Sequence, residues 1–327
     1  MAGNRRTFLK TAGFTAAALA AAPIGAAIPE PALAAGRSFA AGKFALELDG
    51  AFQGIVLSTD GGDAYADVID EQPGGDGVIH KHIGQPKYED IRIALDLSME
   101  SATYDWIKHC MDHSPERKNG AIIAADFNFK ELSRLNFFDA LITEIGWPAL
   151  DAASKEPGRL SLEFSPDVTR RKPGSGAAIA ASVKVQKKWL PANFRLKIDG
   201  LEAACTKVNK IEALVVKQIL VNSDGVRAPG RLEYPNLVVT LAESAADPFF
   251  DWAESFIIKG VNGQKDEKRG SIDFLALDLK TVLATLTFSN LGIFRCAPEK
   301  AEAGVDAIRR VKAEMYCESM SFSMPAP

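Results

Sequence analysis

Apolar and polar positions alternate with a period of two in several stretches of the chain, the pattern of strands that bury one face. Phe44, Leu46 and Leu48 form one set, and Phe194, Leu196 and Ile198 another. Ile91, Ile93, Leu95 and Leu97 alternate with Arg92, Ala94 and Asp96, while Leu237, Val239 and Leu241 mark a second central strand. Closing strands are predicted at Leu160, Leu162, Phe164 and at Val311, Ala313, Met315, Cys317, with another strand after Gln53. Behind each central strand the period becomes helical. Phe249, Trp252 and Phe256 fall at i, i+3 and i+7, and Trp106 and Cys110 at i, i+4. Asp247 before Pro248 reads as an N-cap with proline at the first helical position, and Ser98 or Ser101 as the cap of the earlier helix. Trp106 and Trp252 are thus expected as core anchors where a helix lies on a sheet.

These elements come in pairs at a nearly fixed spacing. Tyr88 and Asp105-Trp106 return 146 residues later as Tyr234 and Asp251-Trp252. FALELDG (44–50) returns 150 residues later as FRLKIDG (194–200), and Gly120 with Asn128-Phe129-Lys130 as Gly270 with Asp278-Leu279-Lys280. Landmarks repeated in one order imply one folding unit used twice. The expected organisation is a first domain over 35–172, a linker over 173–192 and a second domain over 193–327. The linker opens with Pro173-Gly174-Ser175-Gly176, small residues that predict flexibility.

Residues 1–34 read as an export address. Arg5 and Arg6 precede Phe8, Leu9 and Lys10, a weakly apolar run follows, and Ala32-Leu33-Ala34 offers cleavage after Ala34. Paired arginines in this setting point to the twin-arginine (Tat) route. The run is too short and too Ala/Gly-rich to span a bilayer, so membrane contact is expected only in transit. Periplasmic or extracellular location is the consequence.

Charge then narrows the partners. The chain carries −4, and residues 1–34 hold three of its cations against Glu30, leaving −6 for the remainder. Such a chain has no broad basic field, and nucleic acid is not expected as a partner. Arg170, Arg171 and Lys172 read as a solvated face. Cys110, Cys205, Cys296 and Cys317 form no C-x-x-C pair, which leaves core thiols or a disulfide of undetermined pairing. The acidic stretch from Asp60 to Asp76 has carboxylates that calcium could use, but lacks the EF-hand order and reads as a loop, replaced by the shorter 207–218 in the second half.

His109 and His113 stand at zinc-helix spacing, yet Cys110 occupies the position where a metalloprotease needs Glu. They read as ordinary, partly exposed histidines, as do His80 and His82. No G-x-S-x-G elbow accompanies them. Gly36 and Gly42-Lys43 imitate a phosphate loop with one residue too many between them. No catalytic residue, metal ligand or cofactor is expected.

With these landmarks the first copy resembles the tail-tube protein family of contractile-tailed phages, related to type VI secretion tube proteins. The likeness is carried by FALELDG, by KYEDIRIALDLSMESATYDWIKHC (87–110), by NGAIIAADFNFKELSRLNFFDALITEIGWPALD (119–151) and by RLSLEFSPD (159–167). It covers most of 42–168, and 193–325 is a more diverged version. The resemblance implies a mainly β fold with flanking helices, as two tandem tail-tube-like β-barrel or sandwich domains. It also implies a homo-oligomer of six-fold rings, stacked into a hollow tube. A two-copy chain would build a pseudo-six-fold ring from three molecules. Long strands need covered edges, and ring closure would cover them. The expected function is therefore that of a non-catalytic, exported structural subunit. A secreted monomeric binding module is the alternative, with Tyr65, Phe52 and Trp189 as candidate exposed aromatics. A Tat-exported enzyme stands third.

Overall fold

A computed structural model describes residues 42–71, 75, 77–179, 189–223, 226–300 and 308–325. Residues 1–34, including Arg5, Arg6, Phe8, Leu9, Lys10 and the site after Ala34, lie outside the described residues.

The fold is mainly β with flanking helices. In the first half, β1 (Lys43–Leu48), β2 (Ala51–Val56), β3 (Ser58–Gly61), β4 (Ala64–Asp70), β5 (Lys81–Tyr88) and β6 (Ile91–Leu95) precede helix α1 (Ser101–Met111). Then come β7 (Lys118–Ala125), β8 (Glu131–Trp147), β9 (Leu150–Asp151), β10 (Leu160–Ser165) and β11 (Val168–Pro173). The second half runs β12 (Phe194–Ile198), α2 (Glu202–Cys205), β13 (Val208–Ile211), β14 (Leu214–Ser223), β15 (Val226–Glu233) and β16 (Leu237–Ala242). Helix α3 (Asp247–Ala253) passes into a π-helical turn at Glu254–Ile258, before β17 (Lys268–Leu275), β18 (Val282–Pro298) and β19 (Arg310–Ser323).

Two sheets carry the core. One runs β2-β1-β7-β8-β10-β6-β3, the other β12-β17-β18-β19-β16-β13-β9, with all strand pairs antiparallel. From β1 and from β12 the order is the same: β1-β7-β8-β10-β6-β3 against β12-β17-β18-β19-β16-β13. Irregularities coincide too. β8 skips Thr143 against β10, and β18 skips Phe294 against β19. Asp139 and Asn290, near the β7–β8 and β17–β18 register breaks, both take left-handed backbone, with φ of 53° and 55°. Asp and Asn tolerate that conformation better than bulkier residues.

The main apolar cluster of the core is fed by both halves. Ile91, Ile93, Leu95, Leu237, Val239 and Leu241 are all buried, as alternation predicts. Trp106 packs at 5.3 Å on Phe164 and donates its indole N–H to the Glu116 carbonyl. Trp252 packs on Phe256, with Lys268 Nζ 5.4 Å from its ring centre. Each such aromatic contributes roughly 1.5–3 kcal/mol by burial. Phe322 of β19 touches Trp147 of β8 and Tyr104 of α1, so the two halves share their interior.

The helix starts differ from expectation. Asp247 is the first helical residue and Ala246 the cap, with no capping side chain. Glu100, not Ser98 or Ser101, caps α1. The Ser98 hydroxyl and amide are both committed to the Asp96 carboxylate, which removes Ser98 as a cap. The start of the expected flexible linker is also held. Gly174 and Gly176 amides donate to the Leu132 and Glu131 carbonyls, and Ile179 to Phe129.

Candidate assembly surface

The halves are joined by a reciprocal exchange of strand pairing. β14 of the second half adds to the free side of β8 beyond the end of β7, with Leu214 opposite Trp147, Val216 opposite Ile145 and Lys217 opposite Glu144. In return β9 of the first half adds to β13, with Leu150 opposite Ile211 and Asp151 opposite Lys210. Leu214, Val216, Ile145 and Trp147 are at most 2 % exposed. Buried strand edges require such partners because unpaired backbone groups are costly.

Side chains reinforce this junction. The Cys110 thiol donates to Gln218 Oε1 at 3.3 Å. Arg117 donates to the Asp139 carbonyl at 2.8 Å, to Asp167 Oδ2 at 2.7 Å and to the Arg227 carbonyl. Arg227 in turn donates to Ser165 Oγ. Lys217 Nζ lies 3.7 Å from Glu144 Oε2 on the solvent side.

A second hairpin, β4–β5, has no such strand partner among the described residues: it forms a two-stranded sheet of its own. It exposes Tyr65, Val68, Ile69 and Ile83, at 49, 64, 43 and 74 %. Apolar exposure of this extent on one hairpin makes it a candidate interaction surface. A cleft of about 600 Å³ separates it from β14, with Tyr65, Tyr88, Ile219 and Asn222 among its walls. Two sheet edges are open as well. β17 pairs with β18 only as far as Leu291, so residues 292–298 have β19 on one side and, among the described residues, no strand on the other. Phe294 and Arg295 are exposed there. β3 ends its sheet in the same way.

Within the acidic stretch read as a loop, Ala64–Asp70 is a strand, and its carboxylates have basic partners. Asp63 pairs with Arg171 at 2.7 Å, Asp67 with Lys87 at 2.5 Å and Asp70 with Lys81 at 3.6 Å. Its counterpart exists in the second half as β14–β15, correcting the expectation that 207–218 replaces it with a shorter segment. Arg170, Arg171 and Lys172 lie in β11, paired along β8. His109 Nδ1 sits 2.9 Å from Glu116, His113 Nε2 3.3 Å from the Tyr234 hydroxyl, and His82 Nδ1 3.4 Å from Glu71. Among the described residues no group of three His, Cys, Asp or Glu side chains has the geometry to hold a metal. Of the three candidate aromatics, Tyr65 is exposed, Phe52 is half-buried, and Trp189 is buried edge-on against Phe274 at 5.1 Å.

All four cysteines are free. Burial pushes the Cys110 thiol up to about 12 and those of Cys205, Cys296 and Cys317 to about 11. No helix of the described residues is long and apolar enough to cross a membrane, which leaves strands untested.

The described residues thus form a mainly β protein with two sheet edges that no described strand covers. Over residues 40–165 its sequence matches the family model of the T4-like virus tail tube protein gp19. The match supports a phage tail-tube-like, structural class for this part of the chain. Several solved structures are similar. The anti-feeding prophage tube-terminating cap is 22 % identical, spanning 45 % of this chain and 99 % of that one, with a TM-score of 0.39. The tube of an extracellular contractile injection system (PVC, extended sheath–tube complex) is 19 % identical over 42 % and 94 %, at 0.38. Hcp1 from Flavobacterium johnsoniae is 17 % identical over 40 % and 96 %, at 0.27. No curated protein matches the sequence.

Proposed function

We propose that this protein is a non-catalytic structural subunit, exported by the Tat route, that self-assembles into rings or a hollow tube. In this reading residues 35–172 and 193–327 are two copies of a tail-tube unit, joined by 173–192. Three chains would supply six units to a pseudo-six-fold ring, and rings could stack. The family match over 40–165 supports the class. The observation that carries the assembly is the junction of β14 on β8. It is a heterologous contact, one surface of the second half on a different surface of the first. Such contacts propagate until they close a ring or extend as a filament. Among the described residues the edges of β18 and β3 leave the same contact unmade at the chain's other end.

Sedimentation velocity of the purified protein over a wide concentration range tests this reading. Trimers or larger multiples are the expected species. A monomer at every concentration contradicts it and favours the monomeric binding module, with the exposed β4–β5 hairpin as its binding element.

A further inference from the structure

We infer that the edge of β18 at Arg295–Pro298 is the acceptor for strand β4 of a second copy of this chain, with Tyr65 set over Arg295 as the specificity contact. This rests on the assembly reading above and adds to it the surface, the register and the residues.

The two halves correspond position by position at these strands. In β8 and β18 the skipped residues, Thr143 and Phe294, place Ile145 and Cys296 at matching points, two residues further on. In the hairpins, β14 skips Ile219 against β15, and β4 skips Asp67 against β5. Val216 and Ala64 each stand three residues before that skip. The pair Val216–Ile145, sealed within the molecule at 1 % exposure each, thus corresponds to Ala64 and Cys296. In the single chain Ala64 is exposed and Cys296 half-buried. They are positions shaped like a junction, without the junction.

Charge sets which strand goes where. The internal pair Lys217–Glu144 corresponds to Tyr65 and Arg295, whose side chains are both exposed. Directly opposed residues in antiparallel strands lie about 4.5–5.5 Å apart at Cβ, so the Arg295 guanidinium meets the Tyr65 ring, with Asp63 on the diagonal. Placing β14 of another copy on this edge would instead oppose Lys217 to Arg295. Like charges directly opposed are disfavoured, and such repulsion discriminates between partners. First-half hairpin on second-half edge is the combination that remains. The unpartnered edge of β3 then matches β13, whose edge β9 already covers inside the molecule.

The test is an Ala64→Cys variant of the whole protein, oxidised mildly and run on a non-reducing gel. Cross-linking to Cys296 of a neighbour is expected, giving a ladder from dimer upward. The ladder should vanish in Ala64→Cys/Cys296→Ser and be absent from Val68→Cys, which lies off this register. In parallel, Arg295→Glu should raise the concentration for half-assembly by on the order of tenfold. This second readout decides the matter should Ala64→Cys fail to fold. Assembled material with neither cross-link nor an Arg295 effect overturns this surface and leaves the assembly reading standing. Equal cross-linking by Val68→Cys overturns the register. Wild-type protein that stays monomeric overturns both readings together.

Discussion

The Cys110 thiol and the Gln218 amide meet across the two halves of the chain, 108 residues apart in sequence and 3.3 Å apart in space. Cys110 lies on α1 and Gln218 on β14, and both are buried. The contact places a helix of one half against the strand that the other half lends to it, so neither half completes its interior alone.

Cooperative unfolding follows from that sharing. Val216→Ala at the junction removes two buried methyl groups and is expected to cost about 1–3 kcal/mol. Because β8, β14 and the common core unfold together, urea denaturation should remain a single transition with a lower midpoint. Two separated transitions in the wild type would contradict the shared interior.

Thiol chemistry reports the same packing. Burial holds Cys110 up to about 12 and the other three near 11, and thiols react as thiolates. A thiol-reactive dye at pH 8 should label the native protein slowly, Cys296 before Cys110, and all four cysteines quickly in denaturant. Rapid native labelling of Cys110 would contradict its seat behind β14.

Acid stability should depend on Asp278. Its carboxylate accepts from Thr281 Oγ1 at 2.6 Å and from the Lys280 and Thr281 amides at 2.9 Å each. These bonds lower it from 3.8 to about 2. A folded value below the unfolded one stabilises at pH above the unfolded value, and that stability is lost as pH falls through the folded value. Melting temperatures of wild type and Asp278→Ala should therefore differ above pH 4 and converge towards pH 2. A constant difference across that range would show that ionisation is not the source.

Export makes a separate prediction. Replacing Arg5 and Arg6 together by Lys should retain the protein in the producing cell. The exported wild type should begin at Ala35 on N-terminal sequencing. Export of the double variant at wild-type level would count against the Tat route.

Much of the core was legible in the sequence because burial leaves a periodic trace. Ile91, Ile93 and Leu95 alternate since each faces one layer, and Trp106 and Trp252 stand out as large apolar groups on short helices. The caps were not, since Ser98 spends its hydroxyl on Asp96. The hairpin β4–β5 was hidden by its composition: carboxylates and glycines read as a loop, while Lys81, Lys87 and Arg171 neutralise them only in three dimensions. The junction had no local signal at all. Strand pairing between distant segments is chosen by the whole fold, and β9 is only two residues long.

In the proposed assembly the two halves occupy equivalent places around one closed ring. Negative-stain electron microscopy of the purified protein, with class averages viewed along the ring axis, tests it most directly. Hollow rings with six similar lobes in three chains are the predicted result. Isolated two-lobed particles at high protein concentration would contradict it.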